Sequence, residues 1–156
     1  GLVCALVARA RGAEVVIADV SDHRRTTAAS LGLSSTAELE GEFDGVIDAV
    51  GLPVSRQAAI DRCRPGGSAV WIGLAVDTVE LSGNALVRSG KKIVGSFAYS
   101  GAEFDHAIEL AATLDLSWGT AVPLSSSEEV FYALARGDTH MVKAVIVPDA
   151  EIEVAG

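Results

Sequence analysis

The sequence predicts an α/β fold built on a parallel sheet, and three observations predict it. Short apolar runs recur at Val15-Val16-Ile17-Ala18, Val46-Ile47 and Ala69-Val70-Trp71-Ile72. They are continuous rather than alternating, as in strands covered on both faces. Stretches of helical period lie between them, so strands and helices alternate along the chain. The composition supports a packed domain: of 156 residues, 49% are hydrophobic and only 21% charged. Aromatic residues make up 5%, so the core is expected to be Val, Ile, Leu and Ala.

The elements follow in order. LVCALVARA (2–10) is apolar nearly all round, as in a helix packed on a sheet, and Arg11-Gly12 supplies its basic last turn and terminal glycine. A strand is expected over 15–18, ending at Asp19, and then a polar helix over roughly 22–31. Gly32 to Thr36 reads as a short connecting segment. The pattern repeats with a strand over 43–50, a helix near 54–63, a turn at Arg64-Pro65-Gly66-Gly67 and a buried strand over 68–74. Lys92–Phe97 is one more strand. Beyond Ser100 a capping box (Ser100, Glu103) opens a helix with Phe104, Ala107, Ile108 and Ala111 on one face. Ser126-Ser127-Glu128-Glu129 is expected to open another helix by the same chemistry, closed by Arg136-Gly137. Val142–Pro148 is a final strand, and the acidic tail from Asp149 is expected to fray.

Charge divides the chain. Residues 1–100 carry 10 bases and 11 acids, whereas residues 101–156 carry only Arg136 and Lys143 against ten acids. A boundary is therefore expected near Ser100, separating 1–99 from 100–156. The overall charge of −9 argues against a nucleic-acid partner, which needs clustered Lys and Arg. No apolar run approaches the ~20 residues of a membrane span and no basic segment precedes the first apolar stretch. A cytoplasmic protein with no membrane partner is the expectation. Cys4 and Cys63 lie in apolar segments without metal-ligand spacing and read as small buried hydrophobes. His23, His106 and His140 have no partner at ligand spacing, so no metal site is expected among them.

The first element is a helix with no strand before it. In a parallel βαβ sheet each crossover helix needs a preceding strand. Either the fold starts unusually, or the chain begins partway into a longer protein; the second is expected.

GLVCALVARARGAEVVIADVSDHRR (1–25), GVIDAVG (45–51), RPGGSAVWIGL (64–74) and GKKIVGSFAYSGAEFDHAIEL (90–110) together resemble the cofactor half of zinc-type medium-chain alcohol dehydrogenases. The polyol, sorbitol and threonine dehydrogenase branch is the most similar. LSSSEEVFYALARGDTHMVKAVIVP (124–148) is similar to that family's C-terminal return into its catalytic domain. The resemblance implies a Rossmann-type doubly wound sheet in the order 3-2-1-4-5-6, here lacking its first strand. The strands at Val15–Asp19 and Val46–Val50 should then face a gap rather than pair with each other. It also implies NAD as cofactor, with NADP less favoured, a small-molecule alcohol as substrate, and a homodimer or homotetramer. Residues Val79–Val87 would lie near the strand that pairs across the two-fold axis. Zinc is expected only in a catalytic domain outside this sequence, so this chain alone should be inactive.

Residue by residue, Gly1 resembles the third glycine of the family's GxGxxG fingerprint, which lets the first helix pack close to strand and pyrophosphate. Asp19, followed by Val20, stands where a carboxylate accepts the adenosine ribose hydroxyls and repels a 2′-phosphate; it is equally readable as a solvated strand-end carboxylate. Arg24 resembles the family's basic residue beside the adenosine, and Arg25 competes for that place. Ala49, Val50 and Gly51 end one strand and would line the adenine and ribose side. Ile72, Gly73 and Leu74 end the next and would offer backbone groups to the nicotinamide carboxamide. Val94 either faces the nicotinamide or is plain core. Lys143 either approaches the pyrophosphate or is an exposed lysine. Two other readings stand beside the dehydrogenase: a non-catalytic nucleotide-binding or oligomerisation module, and a zinc-free quinone reductase of the same superfamily.

Overall fold

The structure is a computed structural model that describes residues 1–137 and 139–149. Helix α1 (Leu2–Ala10) starts at Gly1, whose carbonyl accepts from the Ala5 N–H at 3.1 Å. Strand β1 (Val16–Ala18) pairs in parallel with β2 (Ser34–Thr36), Val16 opposite Ser34, across α2 (Asp22–Ser30). Ser21 caps α2 through its hydroxyl, which accepts from the Arg24 N–H at 3.4 Å. Strand β2 carries no apolar signal of its own; Ser-Ser-Thr becomes a strand because β1 supplies the ladder.

A second parallel sheet runs β3-β4-β5, from β3 (Phe43–Asp48), β4 (Cys63–Trp71) and β5 (Lys92–Gly95). Helix α3 (Pro53–Asp61) links β3 to β4, with Pro53 in its first turn where no N–H is needed. Helix α4 (Gly83–Ser89) links β4 to β5 and ends at Gly90 in the left-handed region. Among the described residues β1 and β3 are not paired with each other, as the strand order anticipates.

Several sequence expectations need correction. Arg64–Gly67 is not a turn ahead of a strand but a bulge inside β4: pairing with β3 jumps from Phe43–Cys63 to Gly45–Ser68. A side chain at Gly67 would stand 2.9 Å from the carbonyls of Arg64 and Asp44, so the bulge is closed backbone on backbone. Strand β4 ends at Trp71, before Ile72-Gly73-Leu74, and β3 ends at Asp48 rather than Val50. Val79–Val87 contains no strand; its second half opens α4, capped by the Ser82 hydroxyl. The strands are not covered on both faces either, since Val16, Ile47 and Val94 are exposed.

After Ser100, α5 (Gly101–Ala111) has the expected capping box. The Ser100 N–H and hydroxyl both donate to the Glu103 carboxylate, which holds it below the usual carboxylate range. Its apolar face is open, with Phe104 and Ile108 exposed. Strands β6 (Gly119–Pro123) and β7 (Lys143–Val147) form a parallel pair across α6 (Ser127–Arg136). Strand β6 was not anticipated. Ser126 makes no capping bond because it lies at the end of a 3-10 turn with φ −100° and ψ 4°, not extended. Asp149 is tied down, its carboxylate accepting from Ser125 N–H and Oγ at 3.1 and 3.0 Å. The rest of the acidic tail, 150–156, lies outside the described residues.

Two small cores result. Ala5, Leu6, Ala28 and Leu33 join α1 and α2 to the β1-β2 pair, with Leu114 from beyond α5 packed on them. Ala59, Ile60, Cys63 and Ala69 join α3 to the three-stranded sheet. Cys63 is fully buried as expected; Cys4 is only half-buried.

Candidate cofactor site

In a parallel sheet the strand ends converge on one edge, where connecting loops leave room for a ligand. Gly1 reaches that edge because α1 runs back alongside β1: a Cβ placed on Gly1 would stand 3.6 Å from the Ala49 Cβ. The start of α1 is thus beside the end of β3, and its free N–H groups face the same edge.

Asp19 closes β1 with its N–H bonded to the Thr36 carbonyl at 3.1 Å. Its carboxylate accepts from the Ser21 N–H at 2.9 Å and lies 3.7 Å from Arg24 Nη1. A carboxylate has about four acceptor positions, so capacity remains for two hydroxyls. Arg25 turns elsewhere: it donates to the Asp19 carbonyl at 2.6 Å and pairs with Asp22. Of the two arginines, Arg24 is the one beside the carboxylate. Val20 is 92% exposed.

The ends of β3 and β4 are locked together. Gly51 has φ +84°, and a Cβ there would lie 2.4 Å from the Gly73 carbonyl carbon; one on Gly73 would lie 2.2 Å from the Gly51 nitrogen. Only two glycines permit this crossing. Asp48, buried, organises it. Its carboxylate accepts from the Val50 N–H at 3.1 Å and the Gly51 N–H at 3.0 Å. Its backbone carbonyl accepts from the N–H groups of Ile72 and Gly73 at 2.9 and 3.0 Å. Arg56, on α3, sets Nε 4.0 Å from the Asp48 carboxylate and donates from Nη2 to the Gly73 carbonyl at 3.2 Å. Its guanidinium also lies 5.1 Å from the centre of the Trp71 ring. Asp48 and Arg56 were not singled out from sequence. The readable signal is an acidic residue inside an apolar strand, which burial obliges to find a cation.

Val50 and Leu74 stand exposed at the same edge, and Val94 is exposed on β5. At the strand ends the chain therefore carries a partly exposed carboxylate at Asp19, free N–H groups at the start of α1 and the exposed apolar side chains of Val50, Leu74 and Val94. That donor set fits a nicotinamide dinucleotide. Lys143 is not brought to it by the sheet: it is exposed at the first residue of β7, whose strand partner is β6. The described residues hold no group of three or more His, Cys, Asp or Glu suited to a metal, so they do not fit a zinc ion. Among the described residues no helix is long and apolar enough to cross a membrane.

Comparison with known proteins identifies the family and the fold. Residues 1–113 match the family model of zinc-binding dehydrogenases. L-galactonate-5-dehydrogenase of Escherichia coli is 27% identical over 94% of this chain, which spans only 48% of that protein. Among solved structures, an acetophenone reductase from Geotrichum candidum in complex with NAD superposes with a TM-score of 0.84 at 19% identity. The match covers 96% of this chain and 46% of that one. A putative zinc-binding dehydrogenase from Sinorhizobium meliloti bound to NADP gives 0.80 at 19% identity, over 94% of this chain and 49% of its own. These likenesses establish a Rossmann-type parallel α/β fold, and the chain spans about half the length of the relatives it matches. The chain belongs to the zinc-binding dehydrogenase family.

Proposed function

From that membership we propose that the chain is the cofactor-binding portion, with its C-terminal return, of a nicotinamide-dependent dehydrogenase acting on a small alcohol or polyol. Residues 1–99 form the cofactor half and 100–156 the return. The observation that supports the reading most is the Gly51–Gly73 crossing at the carboxyl ends of β3 and β4, with Gly1 beside Ala49 at the same strand end. Asp19 stands at the carboxyl end of β1 with its carboxylate near Arg24. Bound there, the cofactor supplies the hydride acceptor.

The chain's own residues bind and orient it. The α1 N-terminus faces the pyrophosphate, which the helix dipole and free N–H groups favour. Asp19 accepts the ribose hydroxyls and disfavours a 2′-phosphate, so NAD is preferred over NADP, while Arg24 beside it leaves some tolerance for the phosphate. Ala49, Val50 and Gly51 line the adenosine side; Ile72, Gly73, Leu74 and Val94 line the nicotinamide side. Zinc, where the complete protein uses it, is held by residues outside this chain. The complete protein is a cytoplasmic homodimer or homotetramer; sedimentation as a monomer at micromolar concentration would contradict that.

Titrating the complete protein with NADH and NADPH, followed by the fluorescence of the bound dinucleotide, tests the reading. Tighter binding of NADH is expected. Binding of neither dinucleotide removes the function; tighter binding of NADPH removes the role of Asp19.

A further inference from the structure

We propose that Arg56 is a positioning residue for the nicotinamide end of the cofactor, acting through Asp48 and the Gly73 carbonyl without touching the cofactor itself; this rests on the dinucleotide reading above. The cluster is unusual in its economy of parts. The Asp48 carboxylate fixes the turn after β3 and its carbonyl fixes the turn after β4. Arg56 closes the loop between them, since it faces that carboxylate and donates to Gly73. Both side chains are buried, at 1% exposure for Asp48 and 9% for Arg56. An ion pair out of water contributes little to net stability compared with apolar packing, yet removing one partner is costly. Its place here is therefore better explained by what it positions.

What it positions can be stated atom by atom. The N–H and carbonyl of Gly73 and the N–H of Ile72 are already used inside the fold. The Gly51 N–H is taken by Asp48 and the Gly51 carbonyl by the Val76 N–H at 3.1 Å. The groups left to meet a ligand in the second turn are the Ile72 carbonyl and the Leu74 N–H, an acceptor and a donor on either side of Gly73. On the dinucleotide reading, as the family resemblance implies, these two groups meet the nicotinamide carboxamide, whose carbonyl and NH₂ complement them. The direction of those two groups is set by the Gly73 peptide, and Arg56 holds that peptide from behind. Trp71, under the guanidinium, keeps Arg56 from swinging away.

The test compares NAD with ADP-ribose, which has every part of the cofactor except nicotinamide, on the complete protein and its Arg56→Met and Arg56→Lys variants. Arg56→Met should weaken NAD about tenfold or more, the scale of one charge-assisted hydrogen bond. ADP-ribose should weaken less than about threefold, because Arg56 reaches only the second turn. Arg56→Lys keeps the charge opposite Asp48 and should recover part of the loss. Trp71 fluorescence should shift in Arg56→Met and not in Arg56→Lys. Equal losses for NAD and ADP-ribose would mean general damage and overturn the proposal, as would unchanged NAD affinity in a folded variant. If Arg56→Met fails to fold, Arg56→Lys decides by the same pair of ligands: a loss confined to NAD supports the proposal and none overturns it. If the unaltered protein binds neither ligand, the dinucleotide reading itself has failed, which is a distinct result.

Discussion

At the end of β1, Asp19 holds its carboxylate 26% exposed beside an Arg24 that is 61% exposed. At the ends of β3 and β4, Asp48 and Arg56 are almost wholly buried and two glycine backbones touch. Both ends pair an acid with a base, but the chemistry differs. The exposed pair is worth little as an ion pair, about 0–1 kcal/mol, and its groups can turn to a ligand at small cost. The buried pair cannot turn at all. Under the proposed function this contrast is a division of labour: the open end would choose which nucleotide binds, and the locked end would fix where the reacting ring lies. Substitutions should therefore change selectivity at the first end and stability at the second.

The largest effect should come at the crossing. Gly73→Ala places a methyl 2.2 Å from the Gly51 nitrogen, where no flexible side chain can give way. A loss of about 4 kcal/mol or more is expected in urea unfolding, at the diagnostic extreme for one substitution. Gly95→Ala, where a Cβ meets nothing within 4 Å, is the matched control and should stay within about 0.5 kcal/mol. Similar losses for the two would break the claim that the strand ends are locked.

A smaller effect, of a different kind, belongs to the open end. Asp19→Ser should weaken NAD by about 1.5–3 kcal/mol and relieve repulsion of NADP. Unfolding free energy should move by no more than about 0.5 kcal/mol, because the carboxylate is half-exposed. Binding of both dinucleotides by the complete protein measures the first and chemical denaturation the second. A variant that lost stability while keeping its NAD preference would reverse the comparison.

The two ends also differ in how far they could be read from sequence. Asp19 was legible because an acid just after an apolar run is exposed, and its neighbours are close in sequence. The Asp48–Arg56 pair was not, since its meaning lies in contacts from β3 to α3 to the turn after β4. Apolar periodicity found α1, β1, α3 and β5 within a residue or two. It missed β2 and β6, whose Ser-Ser-Thr and Gly-Thr-Ala-Val-Pro carry little pattern and become strands by pairing with β1 and β7. It also read Arg64–Gly67 as a turn, because Pro and two glycines signal one whether or not the strand resumes its pairing afterwards. The pocket roles of Val20, Val94 and Lys143 depend on the direction of side chains, which no spacing fixes.

The mildest test uses the two cysteines, one on α1 and one in β4. Cys63 lies fully buried under the locked sheet, and burial pushes its thiol above the ordinary range, with the nearby Val46 backbone and Lys91 opposing more weakly. Cys4 lies half-buried in the first turn of α1. A thiol reagent attacks the thiolate, so Cys4 should react at the rate of local fluctuation and Cys63 only through wide opening. The raised thiol also has a sign in pH. Above the ordinary thiol range, near 8.5, the unfolded chain releases the Cys63 proton while the folded chain keeps it. The unfolded state then binds fewer protons, so stability falls as pH rises toward the folded value, and the contribution is fully present below 8.5. Cys63→Ala should flatten that alkaline slope. Equal labelling rates for the two thiols, or an alkaline slope that survives Cys63→Ala, would show the β3-β4 sheet to be as open as α1.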